Sequence, residues 1–198
     1  MRSVATLYSL AVLLLLAVRP GAAAGPGPKQ KYYFNISEIR AAAATDDATK
    51  TVAREALQSD LAARPEFTSD LGGLTGEEAI VAELKRRNLQ GFQVTLKIEE
   101  LSREKKPSRP GSRYPQIAIN LKLSVFGITL PGAKLAFGGE GEAAIEAEVP
   151  EPRIEKESAG MVKDLMVQAV KQAVDQAVAK LSLPRAKPMN ESRRKKPS

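Results

Sequence analysis

Three pairs of glutamates are the side chains whose type and spacing come nearest to chemistry: Glu99 with Glu100, Glu140 with Glu142, and Glu146 with Glu148. A glycosidase-type couple needs two such carboxyls, one protonated to deliver a proton and one ionised. Glu140, Glu142, Glu146 and Glu148 alternate with small or apolar residues, so a strand would turn all four to solvent together. Carboxylates there keep ordinary acidity, which suits neither half of the couple. The same row offers at most weak binding of a divalent cation. The chain has 0 His and 0 Cys. That removes the commonest general base, the commonest zinc ligands and any thiol nucleophile, and with them a Ser-His-Asp triad. Gly138-Gly139-Glu140-Gly141 is glycine-rich, but it lies inside a strand pattern with no helix after it, which is not how a phosphate cradle is built. The expectation is a protein that is not an enzyme, with no catalytic, cofactor-binding or metal-binding residues.

Cations form the second group. Lys105, Lys106 and Arg109 fall in a polar, proline-containing stretch from Ser102 to Arg113 that reads as a loop. Arg193, Arg194, Lys195 and Lys196 fall in a tail from Pro184 to Ser198 without apolar pattern, expected to be disordered. These seven are the candidate contacts for an anionic surface: lipid, lipopolysaccharide or glycan. Plain solvation is the competing explanation. The net charge is +7, of which the first 24 residues hold +2 and the tail +5, so the segment between them is near neutral. A nucleic-acid domain carries its charge on the fold, with aromatics interleaved for stacking, and neither is present.

At the start of the chain, Arg2 precedes an apolar run from Val4 to Val18, followed by Arg19-Pro20-Gly21 and Ala22-Ala23-Ala24. A charged start, a short apolar core and an A-x-A site predict a secretory signal peptide over residues 1–24. A run of that length falls short of the roughly 20 residues of a membrane span. With no cysteine to acylate, the expected product is periplasmic or secreted and not lipid-anchored. Residues 25–30 read as a flexible lead, and residues 31–183 as one domain.

Within that domain, Lys31 to Ile36 suits a first strand, being aromatic and β-branched. Thr45-Asp46-Asp47 offers an N-cap. Val52, Ala53, Ala56, Leu57 and Leu61 build a helical apolar face that Pro65 ends. Phe67 follows in a short extended piece. Thr75 and Glu78 have capping-box spacing before a helix that carries Ile80, Val81 and Leu84 and ends near Asn88. Phe92, Val94, Leu96 and Ile98 alternate strictly with polar residues. Ile117 to Val125 repeats the pattern, beginning near Tyr114. Pro131-Gly132 marks a turn. Leu135 to Val149 forms a third strand, where Gly138, Gly139 and Gly141 predict a bulge or bend. Val162 to Leu181 carries a continuous helical stripe before Pro184. The order β-α-β-α-β-β-β-α predicts an α+β, two-layer sandwich: a mainly antiparallel meander with helices on one face.

That order resembles bacterial envelope accessory α/β domains. These are the accessory lipoprotein of lipopolysaccharide assembly, the periplasmic domains of Tol- and curli-secretion-type proteins, and uncharacterised exported bacterial domains. The resemblance rests on the export signal, the helix of Ala53-Arg54-Glu55-Ala56-Leu57, the meander opening at Gly91-Phe92-Gln93-Val94-Thr95-Leu96, and the long terminal helix. It covers about residues 31–183 and is one of texture rather than of a motif. The chain departs from the lipoprotein members in lacking their acylated cysteine. The resemblance implies a non-enzymatic adaptor that meets an envelope protein partner through a sheet face or edge, with no nucleic acid and no cofactor. Contact with an anionic surface through the basic residues is the alternative.

Overall fold

A computed structural model describes residues 30–42 and 45–182. The signal segment, most of the flexible lead and the basic tail lie outside them. The elements are β1 (Tyr32–Arg40), α1 (Asp47–Ala62), β2 (Phe67–Thr68), α2 (Glu77–Arg87), β3 (Gln90–Lys106), β4 (Gln116–Leu130), β5 (Leu135–Glu148) and, after a single 3-10 turn, α3 (Ile154–Ser182). This is an α+β fold with the expected order of elements. The five strands form one sheet in the order β2-β1-β3-β4-β5. β3, β4 and β5 make the antiparallel meander, while β1 lies parallel to both β2 and β3. The parallel half follows from the helices: α1 joins β1 to β2, and a chain that crosses over through a helix returns in the same direction.

The inner face of the sheet holds the main core. Phe34, Phe92, Val94, Leu96, Ile98, Ile119, Leu121, Leu123 and Val125 are all buried there. α1 and α3 close it from above. Asp46 caps α1 by accepting from the Thr49 backbone N–H at 2.6 Å, which satisfies one of the orphan donors of the first turn. From the other end of α1, Arg64 reaches both Asp60 (2.8 Å) and Asp175 of α3 (2.6 Å), bracing the two helices together.

β5 stays in unbroken register with β4 from Phe137 to Glu148, so the expected bulge at the glycines is absent. The irregularity lies one step earlier, opposite Gly127 and Ile128. Gly139 and Gly141 have a different reason. A Cβ on Gly139 would overlap the Ala173 carbonyl, and one on Gly141 the Ala169 carbonyl. Bare strand backbone meets an alanine stripe on α3, and the two backbones approach as they could not across larger side chains.

α2 differs from the expectation that every helix covers the apolar face. Its Leu84 packs with Tyr33 and Leu71, and with the half-buried Ile80, Leu89 and Leu130, in a second, smaller cluster. Tyr33 alternates with the inward Tyr32 and Phe34, so this cluster lies on the outer face. The expected capping box is absent as well. Gly76 is the N-cap, at φ 92°, and no side chain bonds there. The C-cap is Asn88, in the left-handed conformation with φ 55°. β3 also runs further than expected, to Lys106, so the loop is confined to residues 107–115. The polar composition of Arg103 to Lys106 hid a strand that remains paired with β4 up to Gln116.

Candidate functional site

The outer face of the sheet reads as a series of rows across the strands, set by register. Nearest α2, Tyr33, Gly91 and Leu130 lie under Leu84. Asn35, Gln93 and Ile128 form the next row. Beyond it come Thr95 beside Phe126, then Lys97, Ser124 and Glu140, then Glu100, Lys122 and Glu142. The row of Asn35, Gln93 and Ile128 floors a groove of about 420 Å³. Ile80, Val81 and Glu77 of α2 wall one side, and the β4–β5 turn around Gly132 and Ala133 walls the other. Apolar walls over two carboxamides, in a volume of this size, are the common make-up of a recognition pocket. Sequence periodicity assigned Ile80, Val81 and Leu84 to one inner face. In the structure only Leu84 is fully buried, and Val81 is left half-exposed over the groove.

Further along, the outer face is polar and paired. Lys97 meets Glu99 at 2.6 Å, and Ser124 donates to Glu99 at 2.9 Å. Those bonds hold the Glu99 carboxyl below its ordinary range, the Lys97 ammonium most and the Ser124 hydroxyl next. Lys106 and then Arg109 do the same to Glu146. A general acid needs its affinity for a proton raised, so these two carboxyls are tuned the wrong way for that role. Among the described residues, no group of three or more Asp, Glu, His or Cys converges as a metal site.

The three described cations among those singled out in the sequence are paired with carboxylates at the surface. Lys105 reaches Glu151 at 2.6 Å, and Lys106 and Arg109 both reach Glu146 at 3.3 Å. Gln116, with its amide oriented to satisfy both neighbours, donates to Glu146 at 2.9 Å and accepts from Arg109. Ser112 donates to Glu148 at 2.8 Å. The loop is thereby laid against the second half of the β5 carboxylate row. Arg193, Arg194, Lys195 and Lys196 lie outside the described residues.

The free edge of β5 shows a feature that sequence reading missed. Gln176 of α3 accepts from the Glu140 N–H at 3.2 Å, Gln172 accepts from the Glu142 N–H at 2.9 Å, and Lys180 donates to the Gly138 carbonyl at 2.6 Å. The three side chains recur every four residues along one side of the helix. Their signal in the sequence is that repeat of long polar residues beside the alanine stripe, which ordinary amphipathic patterning also explains.

No family model matches the chain, and no curated protein matches its sequence. Among solved structures, the minor lipoprotein from Acinetobacter baumannii is 12% identical, with 81% of this chain and 100% of that chain covered, at a TM-score of 0.42. The PelC dodecamer from Paraburkholderia phytofirmans is 10% identical over 76% of this chain and 94% of that chain, at 0.38. A hypothetical protein from Chlamydia trachomatis is 11% identical over 76% and 95%, at 0.37. Likeness at these scores assigns neither a family nor an activity.

Proposed function

We propose that this chain is an exported, non-enzymatic accessory domain of the bacterial cell envelope, an adaptor that holds a protein partner against the outer face of its sheet. The observation that carries the reading is the groove between α2 and the β4–β5 turn, where half-exposed Ile80, Val81 and Ile128 flank the outward amides of Asn35 and Gln93. Apolar anchors rimmed by polar groups are how protein partners are held. The charged rows beyond the groove, with Lys97 and Lys122 at their centre, extend the contact and supply its specificity. The export signal read from residues 1–24 supports the location. Among the described residues, no helix is long and apolar enough to cross a membrane.

The test is to place a photo-crosslinking residue at Val81 in the full chain, irradiate intact cells and identify the adduct. A single protein adduct is expected. Ile128→Asp should abolish it, Lys122→Glu should weaken it, and a chain ending at Leu183 should keep it. Loss of all association on that truncation would move the function to the basic tail and sink the adaptor reading.

A further inference from the structure

We infer that the free edge of β5 from Ala144 to Glu148 is a strand-addition site for an extended, cationic segment of a partner protein. The site is separate from the groove and stands or falls independently of it.

The N–H groups of Glu140 and Glu142 and the carbonyl of Gly138 point away from β4, since α3 side chains bond them. The register with β4 continues without a shift to Glu148. The N–H and C=O groups of Ala144 and Glu146 therefore face the same open side. The Val149 N–H, of the other parity, bonds inward to the Pro115 carbonyl.

The cap of α3 side chains ends at Glu142, just past the stretch where Gly139 and Gly141 let the helix backbone close on the strand. Gln168, next in the stripe, makes no bond to Ala144 among the described residues. From Ala144 to Glu148 the edge carries no proline and no bulge, and the charges that guard it are those of Glu146 and Glu148, which turn away an acidic strand and not a cationic one. The opposite edge of the sheet has a bulge and further protection besides. β2 covers the start of β1, a bulge breaks the register at Ser37, Arg54 donates to the Ile36 carbonyl at 3.3 Å, and Glu38 pairs with Arg40.

Charge selects the occupant. Glu146 and Glu148 stand on the outer side of the open stretch, and Asp164 continues the stripe of Gln168, Gln172 and Gln176 on α3. A second copy's β5 would set its own glutamates against these, and like charges opposite one another destabilise a pair. A segment alternating cationic with apolar residues fits instead. Its cations would lie beside Glu146 and Glu148, and its apolar side chains beside the half-buried Ile145 and Ala147. Glu146 already accepts from the Gln116 amide at 2.9 Å and Glu148 from Ser112 at 2.8 Å, while Lys106 and Arg109 meet Glu146 only at 3.3 Å and partly exposed, so an incoming lysine takes the place of those two exposed cations and leaves the other bonds in place. Recognition of this type takes affinity from main-chain bonds and specificity from alternate side chains.

The experiment titrates the isotopically labelled chain with two end-blocked seven-residue peptides, one alternating lysine with valine and one alternating glutamate with valine, reading backbone amide shifts. The lysine peptide should move the Ala144 and Glu146 amides while leaving Glu140 and Glu142 nearly still, and should bind at least about tenfold more tightly than the glutamate peptide. Ala144→Pro deletes the outward N–H at an edge position that tolerates proline and should remove the response. Should that variant not fold, the pair Glu146→Lys and Glu148→Lys should invert the preference between peptides. No movement of Ala144 and Glu146 at millimolar peptide, equal response to both peptides, or equal movement of Glu140 and Glu142 would each overturn the inference.

Discussion

The two halves of β5 have the same outward glutamate alternation and opposite surroundings. From Gly138 to Glu142 the free edge is closed by Gln172, Gln176 and Lys180. From Ala144 to Glu148 the same kind of backbone is open, while its carboxylates meet Lys106 at the end of β3 and Arg109 and Ser112 of the 107–115 loop. The difference lies in α3 and not in the strand. Where Gly139 and Gly141 let the helix backbone come close, its side chains reach the edge. Further along they do not. Closure of a sheet edge here is a property of helix approach.

The strongest way to break the contrast is to push α3 away. In Gly141→Val the new side chain meets the Ala169 backbone, which cannot yield. A loss of about 3 kcal/mol or more is expected by urea unfolding, and the Glu142 amide should exchange with solvent as fast as that of Ala144. Arg64→Ala removes the brace between α1 and α3 and leaves Asp60 and Asp175 without their shared cation. It should cost about 1 to 2 kcal/mol and raise exchange at Glu140 and Glu142 by a smaller factor. Gln172→Ala should cost about 1 kcal/mol. Its effect on hydrogen exchange should be confined to Glu142, and spread to Glu148 would mean that α3 holds both halves.

Acid gives the smallest effect. Lys171, and after it Arg64, hold the Asp175 carboxyl below its ordinary range. A depressed carboxyl stabilises the fold above its unfolded value and loses that contribution as pH falls through the folded value. Between about pH 5 and pH 2, the urea midpoint of the native chain should fall more steeply than that of Asp175→Asn, because the variant has already lost the titrating group. Equal slopes would remove Asp175 from the brace.

Much of this molecule was legible in its residues because the relevant forces are local. Period-two alternation in Phe92 to Ile98 and Ile117 to Val125 named two core strands, and the three-and-four spacing of Val162 to Leu181 named the long helix. Asp46 marked a helix start because its side chain bonds only three residues away. Asn88 marked a helix end in the same local way. Composition by itself removed histidine and thiol chemistry. Tertiary structure decided what depends on approach between distant segments. The parallel pairing of β1, the placing of α2 on the outer face, and the groove over Asn35, Gln93 and Ile128 all join residues far apart in the chain, where no periodicity speaks. Gly139 and Gly141 read as a bulge or bend in a strand until Ala169 and Ala173 were set against them, and nothing in the sequence set Gln172 and Gln176 apart until the edge they cap was beside them. A side chain's type states which bonds it can make, and only the packed backbone states which partner is within reach.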